Sequence, residues 1–319
     1  MNRIGVLTSG GDAPGMNAAV RAIVRKAVYH GIEVYGIHRG FMGLINSDFI
    51  KLDISSVGDI IHRGGTVLLT ARCEEFKTKE GQEKALKNLE AFGIEGMIVI
   101  GGDGSLRGAN VLSKMGIPTI GIPTTIDNDI AFTDNCIGFD TAVNTVVDAL
   151  NKVRDTATSH ERTFVIEVMG RKAGHLALHT GLASGAETIL VPEIPFDLDA
   201  ICEKIESGYK RGKLHSIIVV AEGAANSFKV GEAIKEKTNL ETRVIILGHL
   251  QRGGTPSAYD RILASRFGGK AIDLLKENVR DKMIGLINGE LVLTDIDKVL
   301  STSKPLDMEL FELADILSY

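Results

Sequence analysis

The stretch Val99–Ala109, VIGGDGSLRGA, reads as strand, glycine turn and helix. Glycines let a backbone come close to an anion, and the following helix start offers unpaired N–H groups with a favourable dipole. Asp103 stands among them. A carboxylate in a phosphate-cradling loop repels its ligand unless a cation intervenes, and Mg²⁺, a hard ion commonly shared with phosphate oxygens, fits that need. The plainer reading is a tight turn with Asp103 as helix N-cap. Two familiar nucleotide signatures are absent: there is no GxxxxGK[ST], and Arg107 stands where a GxGxxG pattern starting at Gly102 needs its last glycine.

The same scheme extends along the chain in both directions. Short β-rich runs are predicted at Arg3–Thr8, Glu33–Ile37, Gly96–Ile100, Thr119–Ile122, Thr163–Val168, Thr188–Val191, Ser216–Val220 and Arg243–Leu247. Helical spacing of apolar residues predicts helices near 15–30, 83–91, 105–115, 139–158, 172–183, 197–210, 228–237 and 257–276. Alternating elements with nearly continuous apolar strands imply parallel sheets covered on both faces. The predicted class is α/β, with two doubly wound domains and mostly parallel sheets, and 319 residues suit about two domains. No linker marks the boundary, which we place near Gly138, where a long helix begins. The first domain is expected to span 1–138 plus about 252–305, and the second 139–251 plus about 306–319. The tail after Ile284 reads as a small β excursion followed by helix. SGGD at Ser9–Asp12 echoes IGGD at Ile100–Asp103, each after a strand and before a helix.

Composition narrows the class. Hydrophobic residues make up 44% and charged residues 24%, which excludes a disordered or fibrous chain. The charge sum is 36 − 41 = −5, against a general nucleic-acid binder. Glycine contributes 36 of 319 residues, well above the ~7% of an average chain. Cys73, Cys136 and Cys202 are odd in number without a CxxC, which points to a reducing compartment. With no charged-then-apolar leader in MNRIGVLTSGGD and no apolar run near ~18 residues, the expectation is a cytoplasmic protein without a membrane partner.

Three further groups carry chemistry. IPTTIDNDI, Ile122–Ile130, places Asp127 and Asp129 in a loop beside Thr124, Thr125 and Asn128. Two close carboxylates call for a cation or a proton, so one can hold metal while the other accepts a substrate proton; the alternative is an Asx-rich turn. Asp103 and Asp127 follow predicted strands of one sheet, 24 residues apart. Arg72, Arg162, Arg171, Arg243 and Arg252 lie at predicted strand ends or in glycine-flanked loops, and Arg suits bidentate phosphate binding. A separate basic set comprises Arg21 and Arg25, which share a helix face, with Arg154 and the cluster Arg211, Lys213 and His215. Its plain reading is a solvated helix face.

From LTSGGDAPGMNAA through GHLQRGGTP to YDRILASR, the whole chain resembles the bacterial ATP-dependent 6-phosphofructokinases. The resemblance implies homotetramers that transfer the ATP γ-phosphoryl group to the 1-hydroxyl of fructose 6-phosphate with Mg²⁺, the committed step of glycolysis. It implies an ATP site at Gly11, Arg72, Cys73, Gly102, Asp103, Gly104 and Ser105, with Asp103 metal-associated. It implies Asp127 as general base, with Thr125, Asp129, Arg72 and Arg171 also catalytic. Thr125, Ile126, Asp127, Met169, Gly170, Arg171, Glu222, His249, Leu250, Gln251 and Arg252 match the sugar-phosphate site. Arg162 and Arg243 match arginines that reach this site from a neighbouring subunit. Arg21, Arg25, Asp59, Arg154, Gly185, Glu187, Arg211, Lys213 and His215 match an effector site for ADP and phosphoenolpyruvate.

The chain departs from the family pattern in places. Ile54 stands where some members carry an effector arginine, and His175 where many carry an acidic residue. Pyrophosphate-using relatives have an acidic residue at the position of Gly104 and a lysine at that of Thr124, so Gly104 favours ATP as donor. Thr124 is also not the usual glycine of the ATP enzymes. The rival readings are a pyrophosphate-dependent enzyme and a non-catalytic sugar-phosphate sensor. A sensor would lack the base or metal residue, and this chain has both Asp103 and Asp127.

Overall fold

A computed structural model of the chain describes Met1–Ser318. Its elements in chain order are β1 (Arg3–Thr8), α1 (Met16–Tyr29), β2 (Glu33–Ile37), α2 (Phe41–Asn46), β3 (Phe49–Leu52), α3 (Lys79–Ala91), β4 (Gly96–Gly101), α4 (Asp103–Lys114) and β5 (Thr119–Pro123). There follow α5 (Phe139–His160), β6 (Thr163–Val168), α6 (His175–Ser184), β7 (Thr188–Leu190), α7 (Leu198–Lys210), β8 (Ser216–Ala221), α8 (Ser227–Thr238) and β9 (Thr242–Ile246). The chain closes with α9 (Ala258–Lys276), β10 (Lys282–Ile287), β11 (Glu290–Asp295), α10 (Ile296–Leu300) and α11 (Met308–Leu317). Among the described residues no helix is long and apolar enough to cross a membrane.

The chain divides into two compact units. The first holds Met1–Thr125, Ile130–Thr141 and Arg252–Lys304; the second holds Ile126–Asp129, Ala142–Gln251 and the chain from Pro305 onward. The first unit carries a seven-stranded sheet in the order β11-β10-β5-β4-β1-β2-β3. Its five inner strands run parallel, and both edges, β3 and β11, are antiparallel. Alternation along the strands feeds two cores. Ile4, Val6, Ile98 and Ile100 join Ile23 of α1 and Phe267 of α9 on one face; Leu7, Met97 and Val99 join Leu89 of α3 and Leu106 of α4 on the other. Burial on both faces is why these strands read as unbroken apolar runs.

The second unit carries a four-stranded parallel sheet, β7-β8-β6-β9. Phe164, Ile166 and Val168 pack with Val146 and Leu150 of α5 and Ala177 and Leu178 of α6. Val165, Ile218 and Val220 pack with Ile201 and Ile205 of α7 and Ile234 of α8.

Three predicted helix starts move. The helix expected at 105–115 begins at Asp103 with Gly102 as its N-cap, so Asp103 does not cap it. The helix expected at 83–91 begins at Lys79, because Thr78 caps it by accepting from the Gly81 N–H at 3.1 Å. The helix expected at 172–183 begins only at His175, because residues 170–173 form a turn closed by the Ala173 N–H on the Gly170 carbonyl at 2.9 Å and Gly174 is the N-cap. The tail excursion is a hairpin whose strand β10 lies parallel to β5, and Asn288 and Gly289, φ 51° and 82°, turn it.

Candidate active site

In the first unit, three loops leave the carboxyl ends of adjacent strands. The register aligns Thr8 with Ile100 and Ile100 with Ile122, so the loops after β1, β4 and β5 start level. The Ser9 N–H donates to the Ile100 carbonyl at 3.0 Å, and the Thr124 N–H to the Gly101 carbonyl at 3.0 Å. Gly10 takes φ 85°, which a side chain would strain. Ser105 Oγ lies against this turn, buried and without a hydrogen-bond partner among the described residues; a Cβ on Gly10 would stand 3.2 Å from it.

Gly102 is the Ncap of α4, so the first N–H groups of the helix point past it. Asp103, the first helical residue, pairs with Arg107 one turn on: Nε to Oδ2 at 3.1 Å and Nη2 to Oδ1 at 3.2 Å. An exposed i,i+4 pair of this kind contributes only ~0.3–0.5 kcal/mol, so Arg107 would yield Asp103 to a divalent cation at small cost. Among the described residues no cluster of three or more His, Cys, Asp or Glu forms a protein cage for a metal. One carboxylate beside a phosphate cradle is the donor set that suits Mg²⁺, which is usually bound by one or two carboxylates plus phosphate oxygens and water.

The irregular segment before α3 is tied to the same strand end. Thr8 Oγ1 donates to the Leu69 carbonyl at 2.9 Å, and Thr70 Oγ1 to the Gly10 carbonyl at 2.6 Å. Arg72 and Cys73 follow two and three residues later, Arg72 exposed. Arg252 lies over the first loop. A Cβ on Gly11 would overlap its guanidinium, its Nη1 is 3.9 Å from Asp12 Oδ1, and its Nε is buried without a hydrogen-bond partner among the described residues. Thr124 is 1% exposed and lies in a bridge with Ile137, so its branched side chain is packed inward.

Ile126–Asp129 belongs to the second unit. Ile126 is fully buried, Asp127 is 3% exposed, and Asn128 turns the loop at φ 52°. The loops after β6, β8 and β9 again leave one carboxyl edge, with Val168 aligned to Ala221. The Met169 N–H donates to Gln251 Oε1 at 3.0 Å, and the Arg171 N–H to Glu222 Oε1 at 2.8 Å. Gln251 Nε2 donates to the Gly248 carbonyl at 2.9 Å, so its amide is spent on holding two loops together. A Cβ on Gly223 would overlap the Arg171 carbonyl, which requires glycine at this crossing. Met169, Gly170, Arg171, Glu222, His249, Leu250 and Gln251 therefore share one edge of this sheet.

Arg162 and Arg243 do not join them. Arg162 precedes β6 and Arg243 is the second residue of β9, at the amino edge. Seven residues of extended chain separate Arg162 from Met169, on the order of 20 Å. Both arginines pair with Glu241, Arg162 Nε at 2.8 Å and Arg243 Nη2 at 2.5 Å.

The effector candidates divide between the units. Arg21, Arg25 and Asp59 lie in the first, Asp59 at φ 49°. In the second, Arg154 donates to the Ser184 carbonyl and, at 3.1 Å, to that of Gly185, the left-handed end of α6. Glu187 is 7% exposed; it accepts from the Ile217 N–H and pairs with Lys213 at 2.6 Å. Arg211 Nη1 donates to Ser207 Oγ at 2.9 Å. Glu193, which the sequence analysis does not single out, accepts from the Gly174 N–H at 2.8 Å through Oε1 and so anchors the far end of the Arg171 loop.

Loops at the carboxyl ends of parallel strands, with glycine turns, a helix start and arginines, define an α/β protein built to hold phosphate groups. The chain belongs to the Phosphofructokinase family, whose model matches residues 3–275. It is 60% identical to the ATP-dependent 6-phosphofructokinase of Halothermothrix orenii and 60% identical to that of Halalkalibacterium halodurans, over 100% of each chain. Among solved structures it is similar to phosphofructokinase from Saccharomyces cerevisiae, with 33% identity and a TM-score of 0.89. That match covers 99% of this chain and 47% of the yeast chain, so this chain spans about half the yeast length.

Proposed function

We propose that this chain acts as an ATP-dependent 6-phosphofructokinase, giving fructose 1,6-bisphosphate and ADP in the cytoplasm as the committed step of glycolysis. The observation that carries the reading is full-length identity of 60% to relatives named for that activity, and the glycine turns that follow β1 and β4 support it.

The first unit would hold ATP on the turns at Gly11 and Gly102–Ser105, with Arg72 and Cys73 beside them. Phosphoryl transfer passes through a loose transition state, so positioning and charge neutralisation are what the protein must supply. Mg²⁺, held at Asp103 when bound, would neutralise phosphate charge. Asp127 would take the proton of the sugar 1-hydroxyl late, after the O–P bond has advanced, with Thr125 and Asp129 supporting the transferring group. The second unit would hold the sugar phosphate through the Met169–Arg171 loop, Glu222 and His249, and Arg171 would offset charge on the transferring group.

Arg162 and Arg243 would serve the corresponding site of a neighbouring subunit in a homotetramer. The opposite-edge placement of these two residues supports that assignment, since within one chain they lie far from the loop set. The basic set with Arg154, Gly185, Glu187 and Lys213 would bind ADP as activator and phosphoenolpyruvate as inhibitor; Ile54, which stands where some members carry an arginine, is half exposed and adds no charge.

Product formation with ATP, and separately with pyrophosphate, tests the donor: turnover with ATP alone is expected, and turnover with pyrophosphate alone overturns it. Equilibrium binding of phosphoenolpyruvate to the parent and to Arg154→Ala tests the regulation. Loss of binding in the variant is expected, and undetectable binding in the parent removes the regulatory reading.

A further inference from the structure

Asp260 is fully buried, and among the described residues its carboxylate has no bonded cation. Instead it caps a helix other than its own. Oδ1 accepts from the Gly138 N–H at 2.9 Å, and Oδ2 accepts from the Thr141 N–H at 2.8 Å and from Thr141 Oγ1 at 2.5 Å. These groups belong to the start of α5, where the first N–H groups lack intrahelical partners.

The sequence around Asp260 has the form of a capping box, Ser257-x-x-Asp260. The Asp260 N–H donates to Ser257 Oγ at 3.2 Å, as such a box requires. Its return arm is exchanged. The Ser257 N–H donates to Thr141 Oγ1 at 2.9 Å, and Ser257 Oγ bonds Asp140 at 2.5 Å, so the starts of α5 and α9 cap each other.

What this exchange holds is the loop that precedes α5. Ile137, one residue before Gly138, donates its N–H to the Pro123 carbonyl and accepts from the Thr125 N–H, each at 3.1 Å. Asp260 also abuts the loop after β1: a Cβ on Gly15 would stand 3.6 Å from the Asp260 Cβ. Gly15 and Gly138 take φ 107° and 99° at this junction, so neither backbone could adopt its course with a side chain.

We infer that Asp260 is a positioning residue for phosphoryl transfer: by capping α5 from α9 it fixes Ile137–Thr141 and, through Ile137, the Thr124–Thr125 end of the loop that carries Asp127. The inference rests on the proposed kinase activity. A carboxylate serves here because three donors converge on two oxygens, and an amide offers one acceptor and turns a donor towards the other N–H.

The test uses the full-length protein and compares Asp260→Asn, Thr141→Val and Thr141→Ser. Steady-state kinetics and amide hydrogen exchange of segments 123–127 and 137–141 are read together. Asp260→Asn and Thr141→Val are expected to lower kcat about tenfold or more while the KM for ATP stays within about twofold, because sub-ångström misplacement costs turnover rather than binding. Exchange should rise about tenfold in those two segments and stay unchanged in 163–168. Thr141→Ser, which keeps the hydroxyl, should restore both. Should Asp260→Asn fail to fold, Thr141→Val reads the same junction. Unchanged exchange at 123–127, or faster exchange with unchanged kcat, overturns the inference. If the parent forms no fructose 1,6-bisphosphate, the proposed function fails, and the exchange data still decide whether Asp260 holds the loop.

Discussion

Arg162 Nε lies 2.8 Å from Glu241 Oε2, and Arg243 takes the other oxygen of the same carboxylate. The ion pair with Arg162 holds Glu241 below the usual carboxylate range, with Arg243 adding to it. Both arginines are thus occupied by an internal anion at the sheet edge opposite the Arg171 loop. A phosphate that recruits them must first displace Glu241. Glu241→Gln is therefore expected to lower the KM for fructose 6-phosphate by about two- to fivefold, the scale of a screened exposed pair. A raised KM would mean that Glu241 orients the arginines instead of competing for them.

Gly11 leaves room for Arg252 and nothing more. A methyl group there meets the mobile end of a long side chain, so the fold can yield. Gly11→Ala is expected to leave Tm within about 2 °C of the parent and to raise the KM for the sugar phosphate about tenfold by displacing a bidentate donor. A large drop in Tm with unchanged KM would contradict this.

Burial pushes Asp260 up to about 6 from 3.8, with the charge of Asp140 adding to the shift and the bonds from Thr141 and Gly138 opposing it. The folded state therefore holds a proton that the unfolded chain releases at lower pH. The associated stability is fully present below pH 3.8 and is lost as pH rises through about 6. The span corresponds to about 3 kcal/mol at most. Asp260→Asn removes that loss, so the Tm of the variant relative to the parent should climb between pH 4 and pH 7. Thermal melts across this range check the sign; a flat difference would contradict it.

Gly104 is the second residue of α4, and a Cβ added there would meet nothing within 4 Å. An acidic side chain would thus project into open space beside Asp103. Gly104→Asp is expected to lower kcat/KM for ATP by about tenfold or more through like-charge repulsion of phosphate, and Gly104→Ala to change it little. Equal losses in both variants would point to backbone strain in place of charge.

Much of this molecule is legible in its sequence because its inner strands are buried on both faces. Arg3–Thr8, Glu33–Ile37 and Thr163–Val168 match their strands residue for residue. The edge strand β3 is not legible: FIKL is four residues long and its exposed Lys51 interrupts the apolar run. Helix α2 is six residues long, too short for a periodic pattern. The glycine loops at Gly11 and Gly102–Ser105 announced themselves, since close backbone approach needs glycine. Asp260 did not, because an aspartate three residues after a serine reads as an ordinary capping box, and only the fold reveals that its carboxylate serves another helix. Likewise, the separation of Arg162 from Arg171 follows from the strand between them, while the role of Glu241 as their shared partner depends on side-chain direction that periodicity does not carry.

The central claim is that Asp127 receives the hydroxyl proton of fructose 6-phosphate while the glycine loops hold ATP. A coupled assay for fructose 1,6-bisphosphate with ATP and Mg²⁺, run on the parent and on Asp127→Ser, tests it most directly. The parent should turn over, and the variant should lose about 10²–10⁴-fold in kcat with both KM values nearly intact. A parent that forms no bisphosphate, or a variant with unchanged kcat, would contradict the account.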